Sequence, residues 1–505
     1  MISFLVRLFF HLFDRWTPNE PILRWGRGAT LTISQTYEGS VSFGATGSGK
    51  TSSSIWAQTV AMMRAGYGIV FLTTKGTSPS DTDLCLSMAR EAGRIDSVVK
   101  IGPSHGLGFN ILRYEMQTAL ELGSGDLATN VASIFTAAAD LAAPTRNAKS
   151  GEHIWTQAVE SLVRHAVTLV FHATDDLRLD DIVGVVKSAP QTLAQLNDPA
   201  WCRESICFQF CELLSLSSRP NIKLARDYFL GEFPTFPPDT KNSVLFTFSA
   251  GCSDLLQREP LKGMFFAATD YTPDILLDGG IILCDCPVLQ FREVGRIANG
   301  LIRASAHRAL ERRVSHTVKR PVAIIWDEAQ KSLLRSDVSF QETARSSLCA
   351  VVTATQHLPA LQDVVGLDLA KNFLGNLRTT IFFQNNEKIT GDYMQGLCGR
   401  KDAVKKTVTK NSDGKTSTSS APDKEDALPY EATHNLKTGG EANGYKVTGF
   451  LITGSKKLAN GEPYKKILFD QKSMRASWWP FSNRVQVIAR QRPCPDFTYL
   501  NRKGP

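Results

Sequence analysis

The octapeptide Gly44-Ala-Thr-Gly-Ser-Gly-Lys-Thr51 constrains this chain more than any other feature. It matches GxxxxGK[ST] in full and in the context that the motif requires: Val41 and Phe43 read as the end of a short strand, and Ser52 to Arg64 as a helix. In such a turn Gly44, Ala45, Thr46, Gly47, Ser48 and Gly49 curl backbone N–H groups around phosphate oxygens, and the helix N-terminus adds its positive dipole. Lys50 then reaches the β- and γ-phosphates, and the Thr51 hydroxyl holds Mg2+. The chain must therefore contain a strand–loop–helix unit of a nucleotide-binding α/β fold.

Hydrolysis needs two more groups, a carboxylate at a neighbouring strand tip for the metal shell and a base for the attacking water. Val322-Ala-Ile-Ile-Trp-Asp327 followed at once by Glu328 supplies both, Asp327 for Mg2+ and Glu328 for water. Ile281-Ile-Leu-Cys-Asp285 supplies only one acid, which reads as a strand-end or loop-capping group. One strand–helix unit later, Ala350 to Gln356 ends in Gln356, placed to sense the γ-phosphate. Arg345 and Arg378 are the candidates for an arginine inserted into an adjacent subunit's site, Arg345 ranking first. No Asn-Lys-x-Asp motif occurs, so ATP is preferred over GTP; a Leu-Ser-Gly-Gly-Gln motif is also lacking, which excludes an ABC-type ATPase. A catalytic Glu beside a metal Asp, followed by a polar strand tip, resembles the RecA-like motor ATPases.

A chain of 505 residues exceeds one ordinary core, so roughly two to three domains are expected. The apolar N-terminal arm, residues 1–29, gives way to a first α/β part over 30–114. From 115 to 262 the pattern turns helical: Ile154, Trp155, Ala158, Val159, Leu162, Ala166 and Val170 recur at three- and four-residue spacing. Strand signals return over 263–399, at Gly280 to Asp285, Pro321 to Asp327, Ala350 to Gln356 and Leu377 to Phe383. Strands alternating with helices predict a doubly wound, mainly parallel sheet, with the helical stretch as an inserted all-α domain. Residues 400–447 turn to Lys, Ser, Thr, Asp and Gly and read as a mobile polar loop. Residues 448–505 complete the α/β part and end in a tail, where Trp478-Trp479-Pro480-Phe481 suggests docking.

Lysine and arginine exceed the acids by 57 to 49, a bias too mild to name a partner. The 10 cysteines form no CxxC pair, which argues against a zinc site or a disulfide framework and fits a reducing cytosol. The start, Met1 to Phe13, is apolar but interrupted by Arg7 and His11 and too short to span a bilayer. An amphipathic helix on a membrane or partner and an ordinary docked helix both stay open for residues 1–16. The arginines from Arg292 to Arg313 do not share one stripe and read first as a solvated face, second as a phosphate-binding one.

These residues together resemble the type IV secretion coupling proteins of conjugative DNA transfer (TraD/TraG-like), relatives of FtsK-type translocases. The resemblance runs from about Trp25 to Asp470. It is carried by Gly44 to Thr51, Lys75-Gly76, the helix Trp155 to Leu162, Gly280 to Pro287, Ile325-Trp-Asp-Glu328, Arg345 and Thr353-Ala-Thr-Gln-His-Leu-Pro-Ala-Leu361. It implies a RecA-like P-loop ATPase using ATP and Mg2+, assembled as a homohexamer around a channel for DNA, single-stranded and gripped without regard to sequence. It implies a relaxase or relaxosome and type IV secretion channel components as partners, and a place in the bacterial cytoplasm at the inner-membrane face. By the same transfer Lys50, Glu328, Gln356 and Arg345 are catalytic, and Thr51 and Asp327 hold the metal. Two positions depart from the family: the paired membrane-spanning helices common at its N-terminus are absent here, and Thr73 stands where an Asp is usual. A P-loop docking adaptor, or a related DNA pump of partition, packaging or defence, is the alternative.

Overall fold

The computed structural model describes residues 16–122, 127–142, 152–313, 319–410, 416–454, 458, 461–472 and 484–501. The apolar stretch from Met1 to Phe13 and the Trp478 to Phe481 cluster lie outside the described residues. Strands follow in chain order as β1 (Pro21–Gly26), β2 (Ala29–Thr32), β3 (Ser40–Phe43), β4 (Gly68–Leu72), β5 (Val98–Ile101), β6 (Ile281–Cys284) and β7 (Val322–Trp326). Then come β8 (Cys349–Thr355), β9 (Thr379–Phe382), β10 (Arg400–Lys410), β11 (Thr416–Asp426), β12 (Lys446–Thr453), β13 (Tyr464–Asp470) and β14 (Gln486–Val487).

A nine-stranded sheet in the order β13-β12-β9-β3-β8-β7-β4-β6-β5 forms the centre. Every neighbouring pair from β9 to β5 is parallel; β12 joins β9 and β13 antiparallel. The predicted doubly wound, mainly parallel sheet is therefore present. Its strands are apolar on both faces because both are covered: in β4, Val70 and Leu72 join one core cluster while Ile69 and Phe71 join the other.

Among the described residues no strand interrupts the run between β5 and β6, where helices Ile111–Leu122, Leu127–Ala142, Glu152–Thr174 and Pro238–Gln257 are the longest. Val159, Leu162, Ala166 and Val170 are buried, as their spacing requires, in a cluster shared with one face of the sheet. The ion triad of Glu115 with Arg308 and Arg312 ties the first of these helices to helix Glu293–Arg312 beside the sheet.

Two stretches differ from expectation. Part of the N-terminal arm is β1, whose Ile22, Leu23 and Trp25 are buried and which pairs with both β2 and β14. Within 400–447, the segment expected as a mobile polar loop folds into an antiparallel ribbon, β10 on β11, paired from Arg400↔Asp426 to Lys410↔Thr416. Apart from Val404 and Val408, the described side chains of the ribbon are polar or small, so composition alone hides strands that backbone pairing makes.

Candidate active site

Parallel strands deliver their carboxyl ends to one edge of a sheet, where loops gather a site. At this edge β3 leads into the phosphate loop. Gly44 N–H donates to Thr355 O at 3.3 Å and Ala45 N–H to Gln384 O at 2.9 Å, so the loop is anchored to the ends of β8 and β9 on either side. Thr46 and Gly47 lie exposed at its crown. Gly49 takes φ +85°, and a Cβ there would stand 2.7 Å from Val447 and 3.0 Å from the Thr438 carbonyl oxygen. Only glycine accepts both the backbone angle and the close wall. The turn runs directly into helical residues Thr51–Ile55 and Trp56–Arg64.

The structure brings Lys50, Thr51, Asp327, Glu328 and Gln356 together. Lys50 Nζ donates to the Gly44 carbonyl at 3.1 Å and lies 3.5 Å from Glu328 Oε1. The Thr51 hydroxyl donates to Asp327 Oδ2. Gln356 Nε2 donates to Glu328 Oε2 at 3.3 Å. Glu328 itself adopts the left-handed conformation, φ 55° and ψ 55°, directly after β7. A non-glycine residue held there costs stability, and such cost is tolerated where the surroundings impose it, most often at functional sites. Here the Glu328 N–H donates to Asp327 Oδ1 at 2.9 Å, so the turn itself orients the Asp327 carboxylate.

Several supporting groups escaped the motif reading. Gln330 Nε2 donates to Glu328 Oε2 at 2.5 Å, and Thr355 Oγ1 donates to Gln330 Oε1 at 2.9 Å, so the carboxylate is held by two amides, one of them anchored on β8. Thr74 Oγ1 donates to the Asp327 carbonyl at 3.0 Å. Asp81 accepts from the backbone N–H groups of Thr74 and Lys75 at 2.6 and 2.7 Å and so shapes the turn after β4. Burial pushes the Asp81 carboxyl up, and those two N–H donors oppose the shift. At the position where an Asp is usual, Thr73 turns its hydroxyl to the Cys284 carbonyl at 2.6 Å, away from a nucleotide role. A glutamine two residues after Glu328 is the signal that could have pointed to Gln330.

Asp285 sits apart from this cluster. It accepts from His105 Nε2 at 2.7 Å and Thr82 Oγ1 at 2.5 Å, and the His105 bond, against partial burial, holds its carboxyl below the usual range. Arg345 and Arg378 are both exposed and precede β8 and β9, at the sheet edge opposite the phosphate loop. Neither serves this chain's own site from there.

The arginines of Arg292 to Arg313 differ from both sequence readings. Arg303 is buried, bonded through Nε and Nη2 to Asp337 at 2.6 and 2.7 Å. Arg308 and Arg312 share the buried Glu115, Arg296 lies near Glu293, and Arg313 donates to the carbonyls of Arg320 and Ser347. Most of this run is internal ion pairing, neither a solvated face nor a phosphate-binding one.

The arrangement fits a magnesium nucleotide. The Ser48 hydroxyl in the cradle is buried without a hydrogen-bond partner. The Thr51 hydroxyl and Asp327 carboxylate form adjacent hard oxygen donors, of the kind magnesium takes in company with phosphate and water.

Residues 321–437 match the family described as the TraM recognition site of TraD and TraG. Among curated proteins nothing matches the chain. Among solved structures it is similar to the plasmid coupling protein TrwB in complex with the non-hydrolysable ATP analogue ADPNP, with TM-score 0.58, 14% identity and 90% of each chain covered. Similar too are the unbound bacterial conjugative coupling protein TrwBdeltaN70, TM-score 0.57, 13% identity and 90% of each chain, and TrwB with ADP and Mg2+, TM-score 0.55, 13% identity and 94% of each chain. These likenesses bear out the fold read from the sequence, a RecA-like P-loop α/β domain carrying a helical insertion. With the family match they bear out the resemblance to coupling proteins.

Proposed function

We propose that this chain, a protein of coupling-protein fold, is an ATP-driven DNA translocase that delivers a DNA–protein substrate to a type IV secretion channel. The observation that carries this reading is the meeting of the phosphate loop with Asp327 and Glu328, inside a fold shared with TrwB and a segment matched by the TraD and TraG family. The cofactors follow from the fit above: ATP in the loop from Gly44 to Thr51, and Mg2+ held by Thr51 and Asp327.

Bound magnesium would neutralise charge developing on the phosphoryl oxygens. The protein's own part is positional and acid–base. Lys50 exchanges its hold on Glu328 for a phosphate, which leaves the carboxylate free to take a proton from water. Gln330 and Gln356 fix that carboxylate, and through Gln356 its state is communicated to the end of β8. Glu328 is the catalytic base and Gln356 the sensor in this reading.

The proposal extends to a homohexamer in which Arg345, or else Arg378, enters the neighbour's site, since each is exposed on the edge away from its own. It extends also to relaxosome and channel partners at the cytoplasmic face of the inner membrane. Among the described residues no helix is long and apolar enough to cross a membrane; the proposal includes peripheral membrane contact through residues 1–16.

Steady-state ATP hydrolysis by the full chain, measured with and without single-stranded DNA over a range of salt, tests the reading. Stimulation by DNA that fades as salt rises is expected. Turnover indifferent to DNA at every salt concentration would overturn the translocase, and nucleotide binding without turnover would favour a docking adaptor.

A further inference from the structure

The β10–β11 ribbon pairs with no other strand of the described chain. Each strand has 11 residues, so the ribbon extends roughly 35 Å at the usual rise per residue. A lone two-stranded ribbon is marginal in water unless something covers it. Val404 and Val408 are exposed on one face.

Charge is sorted along its length. At the root, Arg400 lies near Asp426 at 3.7 Å, Lys401 near Glu425 at 3.2 Å, and Asp402 stands opposite Lys424. Among the described residues beyond Asp423 toward the tip, β11 carries no further acid. From Val404 outward β10 carries Lys405, Lys406 and Lys410, and the facing residues from Thr416 to Pro422 are threonine, serine, alanine and proline. Lys405 and Lys406 are exposed and face Ala421 and Ser420, so no carboxylate stands across from either. Lys406 lies between Val404 and Val408 on one face, with Ser420 across from it, and Lys405 lies on the other face, so the ribbon offers a cation on each side to an extended polyanion. Lysines and hydroxyls suit phosphate oxygens, and the exposed valines suit sugars and bases.

The ribbon is also tied to the nucleotide site. Asn385 Nδ2 donates to the Gln356 carbonyl at 2.9 Å, and the Asn385 carbonyl accepts from Thr433 Oγ1 at 2.7 Å, just after β11. Asn385 Oδ1 accepts from the Glu387 N–H at 2.9 Å, at the start of helix Lys388–Cys398, which leads into β10. Ala427 N–H donates to the Gly399 carbonyl at 2.9 Å and closes the root. The segments that flank the ribbon on either side therefore both bond to Asn385, one hydrogen bond away from the residue that touches Glu328.

We propose that the Arg400–Asp426 ribbon grips the phosphate backbone of DNA through Lys405 and Lys406, and that the Asn385 tie makes its position follow the nucleotide site. This rests on the translocase reading and names the part of the chain that holds the DNA.

The test compares the full chain with Lys405→Glu/Lys406→Glu, titrating a fluorescent oligothymidine over a series of salt concentrations beside hydrolysis and oligomeric state. DNA-free hydrolysis should be unchanged. DNA affinity should fall roughly tenfold at moderate salt, the slope of log K against log salt should shrink by roughly 1.4, and DNA stimulation should fall with it. Lys405→Gln/Lys406→Gln, which adds no repulsion, should reproduce the change in slope. Wild-type affinity and slope in both variants would overturn the proposal and leave the translocase standing. A wild-type chain that binds no DNA would overturn both. Loss of oligomers, with DNA binding per oligomer unchanged, would make the ribbon a contact between copies and overturn the proposal.

Discussion

Lys50 Nζ and Glu328 Oε1 stand 3.5 Å apart, both side chains almost fully buried, at the tips of two strands separated in the sheet by β8. Beside them Thr51 reaches Asp327 across 276 residues of sequence. The parallel order makes this possible, because it brings the ends of β3 and β7 to one edge whatever the chain does between them. The cation and the acid neutralise each other in a place where either alone would be costly.

Removing the cation should therefore act twice. Lys50→Ala takes away the group that meets phosphate and leaves Glu328 buried without its partner. Titration with a fluorescent ATP analogue should show affinity at least roughly tenfold weaker, about 1.4 kcal/mol. Unchanged affinity would mean that the loop does not hold the phosphates.

Gly49→Ala tests the cradle without touching a charged group. The added methyl meets Val447 and the Thr438 carbonyl on a backbone at φ +85°. A loss of about 1–3 kcal/mol in urea unfolding is expected, together with weakened nucleotide binding. A variant as stable as the parent would show that the 438–447 segment does not press on the loop.

Arg303 and Asp337 form a buried pair under β7, and the guanidinium lies 4.7 Å from the centre of the Trp326 ring. Arg303→Met should cost about 3–5 kcal/mol, because it strands the carboxylate, whereas the double change with Asp337→Leu should recover much of that loss. Chemical denaturation of the two single variants and the double one measures the coupling. Additive losses would mean that the residues do not act as a pair.

The phosphate loop was legible because its chemistry is local: eight consecutive residues carry both the turn and the ligands. Asp327-Glu328 was legible for the same reason, an apolar strand ending in two acids. The arginine run was misread because its partners are remote in sequence. Glu115 lies 197 residues from Arg312, and nothing in helical spacing announces it. The ribbon was hidden by the reverse problem, since strands exposed on both faces show no alternation between apolar and polar positions. Thr355 lay within a segment already quoted and Gln330 just beyond Glu328, but their role needs the relative height of β7 and β8. The pairing of β1 with β14 joins the two ends of the chain and has no local signal at all.

Acid should weaken the fold partly through Asp285. His105 and Thr82 hold its carboxyl below the ordinary value of about 3.9, so its contribution to stability is complete above that pH and is lost as pH falls through the lower folded-state value. Urea unfolding in this acid range should show a steeper decline for the parent than for Asp285→Asn. Equal slopes would mean that the carboxylate is not held by these bonds when folded.

The central claim is that Glu328 draws the proton from water in a site built by Lys50, Thr51 and Asp327. Single-turnover cleavage of prebound ATP by Glu328→Gln tests it most directly, since binding and chemistry are read in one experiment. The account predicts binding within a few-fold of the parent and cleavage slowed by roughly 100-fold or more. Cleavage at the parent rate, with ATP bound as before, would contradict it.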